Sequence, residues 1–222
     1  MKVAAAVLTY RAISTGRVGL LTEAVESLDE ADGVWIVDNG SDDGSAALVE
    51  GLGGWSHPWP IHTSGHGTNL CARILAATDA DLCVLSDDDM AWRPGWRAQL
   101  EAWWTTAPDD VWLTGCHLEP AYPWNQIRAT IRCGGVSGLV RASTGAASWS
   151  YRRADHERIF PVPQQVQGWG DVPACDAIED KGGRVCQIDL ADHAGHGMST
   201  WGNQTQTKYG HDLDAVRKLV TR

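Results

Sequence analysis

Nothing in the sequence is apolar for long enough to cross a membrane as a helix, which takes ~20 residues. The apolar stretch at residues 3–8 is too short for a secretory signal and lacks a small-residue cleavage site, so it reads as a strand. No pair of cysteines has Cys-x-x-Cys spacing. Cys71, Cys83, Cys116, Cys133, Cys175 and Cys186 are expected as buried free thiols, not disulfides or zinc ligands, and that usage points to the reducing cytoplasm. Internal repeats and low-complexity segments are missing too. The 222 residues are therefore read as one domain with one well-filled core.

Charge is abundant but uneven. The net charge is −10, yet residues 128–158 carry six arginines against only Asp155 and Glu157. Such a segment either faces an anionic partner or is a solvated helix face.

The chain is organised around Leu82-Cys83-Val84-Leu85-Ser86-Asp87-Asp88-Asp89-Met90, where a short apolar run delivers three consecutive carboxylates to one point. Such a run reads as a buried strand. Strand alternation sends Asp87 and Asp89 to one side and Asp88 to the other. Like charges this close need something positive between them, and hard oxygens suit Mg²⁺ or Mn²⁺. The plainer alternative is a solvated turn before the helix that follows Pro94.

Around this point the chain alternates. Strands are expected at residues 3–9, 33–37, near 61, 82–87, 111–118 and 185–188. Helices are expected at 17–28, 45–52, 67–78 (Leu70, Ile74 and Leu75 inward), 96–107, 145–153, from about 171, and 212–220. Residues 129–140 read as glycine-broken strand, and 158–167 as an ordered loop or lid. The alternation predicts an α/β domain with a mostly parallel, Rossmann-like central sheet flanked by helices and a smaller mixed sheet behind. Trp96, Leu100, Trp103 and Trp104 form an apolar stripe expected in the core.

Asp38-Asn39-Gly40-Ser41-Asp42-Asp43-Gly44-Ser45, entered from Val37, closely resembles the signature loop of family 2 glycosyltransferases with the GT-A fold. The acidic triplet resembles that family's Asp-x-Asp motif, Thr9-Tyr10 its opening, and Gly168-Trp169-Gly170-Asp171 the stretch with its catalytic base. The likeness covers roughly residues 3–200. It implies a nucleotide-sugar half at about 1–118 and an acceptor-binding, catalytic half at about 119–222. A UDP-sugar is the donor most in keeping with it, with Mn²⁺ or Mg²⁺ as cofactor.

Carried over residue by residue, Thr9 and Tyr10 would line the base pocket and Asp38 would meet the uracil imide. Arg73 would sit near base or phosphate, although Ile74 follows it where the family often has Asn. Asp87 would hold the ribose or a metal-bound water, with Asp88 beside it, and Asp89 would hold the metal. Trp169 would stack on a sugar or base, or simply pack. His193, with His196 close behind, would complete the metal shell. Asp171 would be the general base of an inverting transfer, or else a helix N-cap. Gly170 stands where the family has Glu, which leaves Asp176, Glu179 and Asp180 as lesser candidates for the base.

A saccharide, a small molecule, or DNA with hydroxymethylated bases would serve as acceptor, the last drawn by the arginines of 128–158. Against an enzyme stands a binding module for sugar nucleotides or glycans that has lost turnover. A sugar-phosphate nucleotidyltransferase would need a glycine-rich, arginine-containing loop after the first strand, and an aspartyl phosphatase its Asp-x-Asp there; neither is present.

Overall fold

A computed structural model describes residues 1–56, 64–117, 126–163 and 171–193. Eleven strands are present among them, β1 (Val3–Thr9), β2 (Gly33–Asp38), β3 (Trp55–Ser56), β4 (Leu82–Asp87), β5 (Met90–Trp92), β6 (Val111–Gly115), β7 (Ile127–Cys133), β8 (Val136–Arg141), β9 (Ser148–Arg152), β10 (Arg184–Gln187) and β11 (Ala191–His193). The helices are α1 (Val18–Ser27), α2 (Ser45–Gly51), α3 (Ser64–Ala76), α4 (Trp96–Thr106), α5 (His156–Ile159) and α6 (Asp171–Asp180).

Nine strands make one sheet in the order β3-β2-β1-β4-β9-β6-β10-β8-β7, and β11 pairs with β5 as a separate ribbon. The front four strands are parallel, with β1 between β2 and β4. Strand β9 runs antiparallel between β4 and β6, joining the front to the back of the sheet.

Strand β1 explains the layers. Its residues are apolar on both faces: Val3, Ala5 and Val7 enter one core, Ala4 and Ala6 the other. A central parallel strand covered by helices on both sides needs this uninterrupted pattern. The first core takes Leu21 and Val25 of α1 and the tryptophans of α4, and the second takes Cys71, Ala72 and Leu75 of α3 with Ala174 and Ile178 of α6. The stripe Trp96, Leu100, Trp103 and Trp104 is buried as expected, and all six cysteines are free and buried. No helix among the described residues is long and apolar enough to cross a membrane.

Several elements differ from the sequence reading. Residues 148–152 form β9, not part of a helix. Here Ser148 and Ser150 alternate with Trp149 and Tyr151, a period of two that the glycine and alanines before it obscured. The inward face of α3 is Cys71, Ala72 and Leu75, with Leu70 and Ile74 only half-buried. Strands β3, β5 and β11, two or three residues each, carry too little pattern to be read from sequence. The expected strand near 61 and helix at 212–220 lie outside the described residues.

The tryptophan layer also explains the hydroxyls on the sheet. Trp92, Trp103 and Trp104 each donate an indole N–H across 3.1 Å, to Ser86, Thr114 and Ser150 respectively. A small hydroxyl residue leaves room for the ring and supplies its acceptor. Replacing Ser150 by Ala strands a buried indole N–H, so urea unfolding should show a loss of ~1–2 kcal/mol. Unchanged stability would contradict this pairing.

Two loops at the carboxyl ends of β1 and β2 are zipped together. The Arg11 N–H donates to Ser41 Oγ at 2.7 Å, the Ile13 N–H to Ser45 Oγ at 2.9 Å, and the Ser14 N–H to Asp43 Oδ2 at 2.6 Å. Asp43 Oδ1 also accepts the Ser45 N–H at 3.0 Å, at the start of α2. Burial alone would raise the Asp43 pKa, but the hydrogen bonds from Ser45 and Ser14 outweigh it and hold it down to about 2. A folded-state value below the unfolded one gives stability that is complete above about pH 4 and lost as pH falls toward 2. The stability gap between wild type and Asp43→Asn should therefore be open at neutral pH and close over that window in pH-dependent unfolding. A gap independent of pH would contradict the assignment.

Candidate active site

The acids of the signature loop and of the triplet share one edge of the sheet. Thr9 pairs with Asp38 across β1 and β2, and Leu8 pairs with Asp87 across β1 and β4. The two groups are thus flanking neighbours of β1, roughly 10 Å apart at ~4.8 Å per strand. The carboxyl ends of parallel strands are where open α/β sheets bind ligands.

Strand β4 ends at Asp87, and Asp88 and Asp89 form the turn into β5. The triplet divides as expected, though by a turn instead of strand alternation. Asp88 is 2% exposed while Asp87 and Asp89 are half-buried. Arg17 donates from Nη1 to Asp88 Oδ1 at 2.8 Å, and Thr9 Oγ1 donates to Asp88 Oδ2. Burial, then Asp89 and Asp88, push the Asp87 pKa well above the usual carboxylate range. Burial also raises Asp88, to about 7, against the pull of Arg17.

Asp171 opens α6, in the helix's first turn. Its charge is among those raising Asp87, so it belongs to the same electrostatic cluster as the triplet. Of the alternatives on this helix, Asp176 and Asp180 are exposed, and Glu179 is paired with Arg128.

His193 ends β11 directly across from Met90, the residue after Asp89. Its ring lies 4.5 Å, centroid to centroid, from that of His117. His117 is 3% exposed and shares a 2.6 Å hydrogen bond between Nδ1 and Ser148 Oγ. Sequence reading passed over His117, since a single histidine after a strand carries no pattern. His196 and Trp169 lie outside the described residues.

For three of the expected residues the structure adds detail. Asp38 is fully buried. Its carboxylate accepts the Gly40 N–H at 3.1 Å, the Ser41 N–H at 2.9 Å and the Ser56 hydroxyl at 3.2 Å, and also the Ser41 hydroxyl. An aspartate that starts a glycine- and serine-rich turn bonds its own backbone first. Arg73 lies exposed in the last turn of α3, and the arginine acting on the triplet is Arg17. Thr9 turns its hydroxyl to Asp88, and Tyr10 beside it is half-buried with the Arg11 guanidinium 5.3 Å from its ring.

Several arginines of 128–158 have partners within the chain. Arg152 pairs with Leu82, where β4 begins, roughly 16 Å from Asp87 at ~3.3 Å per residue. It donates to the Ala107 carbonyl at 2.8 Å and lies over Trp104, while Arg153 donates to the Ala80 carbonyl at 2.7 Å. Arg158 pairs with Asp155 at 2.8 Å, Arg128 with Glu179, and Arg141 is 3% exposed. Arg128, Arg132, Arg153 and Arg158 remain exposed, and Arg141 is the buried one of the six.

A hard divalent cation suits the donors here. Asp87 and Asp89 repel each other, and Asp87 is raised partly for that reason, so a cation between them removes the conflict. Among the described residues no three His, Cys, Asp or Glu side chains converge as a closed ligand set. Mg²⁺ and Mn²⁺ characteristically take few protein ligands and complete their shell with water and phosphate oxygens.

No family model matches the sequence, nor does any curated protein. Solved structures share its fold. TarS 1–349 of S. aureus, in complex with UDP-GlcNAc, superposes with a TM-score of 0.60 at 14% identity, over 99% of this chain and 65% of that one. The mannosyltransferase PcManGT of Pyrobaculum calidifontis, in complex with GDP-Man and Mn²⁺, gives 0.58 at 16% identity, over 98% and 69%. Glucosyl-3-phosphoglycerate synthase of Mycobacterium tuberculosis, in complex with Mn²⁺ and UDP-Glc, gives 0.54 at 13%, over 89% and 72%. This chain spans 65% of the TarS 1–349 chain and, in a second match, 36% of a longer TarS chain. At such identities the likeness is one of architecture: the chain has the GT-A fold of glycosyltransferases.

Proposed function

We propose that this protein moves a glycosyl group from a nucleoside diphosphate sugar to an acceptor hydroxyl, with inversion and with the aid of Mn²⁺ or Mg²⁺. The observation that carries the reading is the gathering of Asp87, Asp88 and Asp89 at the sheet edge that also holds the signature loop. Support comes from the solved neighbours, whose complexes contain UDP-GlcNAc, GDP-Man or UDP-Glc, two of them with Mn²⁺. A UDP-sugar is the donor we favour.

Each residue then has a task. Tyr10 offers a ring to the base, and Asp38 keeps the 38–45 loop in shape beneath the nucleoside. Asp87 and Asp89 hold the cation, with His193, across from Met90 on β11, as a histidine donor. The bound cation acts as a Lewis acid that offsets charge on the departing diphosphate. Asp171 takes the proton of the acceptor hydroxyl as that oxygen bonds to the anomeric carbon from the face opposite the diphosphate. The bond from that carbon to the phosphate oxygen breaks, and its electron pair leaves with the nucleoside diphosphate.

The acceptor is a saccharide or other small hydroxyl compound in this reading. Hydroxymethylated DNA gains no support from the solved neighbours, whose complexes hold nucleotide sugars.

A thermal-shift screen of UDP-, GDP- and TDP-sugars with and without Mn²⁺ tests the donor and the metal. Ligand at ~100 times its Kd should stabilise the folded state by ~2.7 kcal/mol, and only when Mn²⁺ is present. Asp89→Ala should abolish that shift. Asp171→Asn should keep it while lowering kcat by ~10²-fold or more. No shift with any nucleotide would sink the reading, and tight Mn²⁺-dependent binding without turnover would favour a binding module.

A further inference from the structure

We propose that Arg17 is a positioning residue for the cation site, holding Asp88 inward so that Asp87 and Asp89 alone are presented to the cation. The proposal rests on the reading of the site given above and deepens it.

Three observations converge on Arg17. Its guanidinium is used on every nitrogen: Nη1 donates to Asp88 at 2.8 Å, Nη2 to the Tyr10 carbonyl at 2.6 Å, and Nε to Thr15 Oγ1 at 3.1 Å. The 11–17 turn is itself pinned, since the Arg17 N–H donates to the Ala12 carbonyl at 2.7 Å and the Thr15 N–H to the Arg11 carbonyl at 3.1 Å. Asp88, for its part, is 2% exposed, with its second oxygen occupied by Thr9.

The consequence is chemical. Three adjacent carboxylates turned to one cation would crowd it with charge and with poor geometry. With the middle one neutralised from within, the triplet works as two separated acids. The planar guanidinium also ties the backbone of Tyr10, on the nucleoside side, to Asp88, on the cation side, a bridge that a single ammonium cannot span. Arg17 therefore sets the spacing between the two subsites without touching either ligand.

The sign of the effect separates this role from simple electrostatics. Removing a positive charge beside a cation site tightens cation binding if charge is all that matters, and loosens it if the residue holds the ligands in place. Mn²⁺ binding to the full chain, followed by electron paramagnetic resonance of free Mn²⁺ with and without UDP, should show Arg17→Ala weakened by ~10–100-fold. Arg17→Lys should be weakened less, because it keeps the charge and loses the fork. At saturating Mn²⁺ and donor both variants should recover kcat while their KM for donor stays raised.

Circular dichroism and urea unfolding establish that each variant is folded, and if Arg17→Ala is not, Arg17→Lys decides alone. Wild-type Mn²⁺ affinity in Arg17→Lys, or unchanged or tighter binding in folded Arg17→Ala, overturns the proposal and leaves the functional reading intact. Absence of Mn²⁺ and UDP binding in the wild type overturns the functional reading itself, and this proposal with it.

Discussion

Three carboxylates in succession at the end of a buried strand repel one another, and the structure at this edge is arranged around relieving that repulsion. Half of the relief is internal. Asp88 turns into the protein and meets Arg17 and Thr9. A buried ion pair is weak support for stability in itself, because desolvation offsets most of its attraction. Its value here is geometric, since it fixes which acids stay available. The other half is left undone: Asp87 remains raised by burial and by its neighbours, and a cation completes the balance.

The rest of the front half serves that edge. Strand β1 brings Thr9 beside Asp38 and Leu8 beside Asp87, so the loops after β1, β2 and β4 must meet. Asp38 and Asp43 then lock the first two loops, one bonding its own turn and the other the backbone of Ser14. Both aspartates thereby brace the loops at this edge. They hold the surface on which a ligand is to rest.

Much of this was legible in the sequence. The uninterrupted apolar runs of β1 and β4, the helical spacing of Val18, Leu21 and Val25, and the tryptophan stripe of α4 each carry one period and one meaning. The acid triplet and the loop from Asp38 fall at one edge of the sheet. What escaped depended on contacts far apart in the chain. Arg17 lies 71 residues from Asp88, and nothing local marks it as that residue's partner. Strand β9 was misread because small residues hid its alternation, and its place between β4 and β6 is a matter of sheet order. The arginines of 128–158 stand close in the sequence, and their partners come from the fold: Glu179 for Arg128, and Asp155 shared by Arg152 and Arg158.

The account stands or falls on where a cation comes to rest. Crystals grown with Mn²⁺ and UDP, with data collected at the manganese absorption edge, would locate the ion directly. The account predicts one anomalous peak within ~2.2 Å of an Asp89 oxygen, bridging to the diphosphate, with the uridine over the β1–β2 loops. A peak bound to Asp88, or one away from the β4 turn altogether, would contradict it.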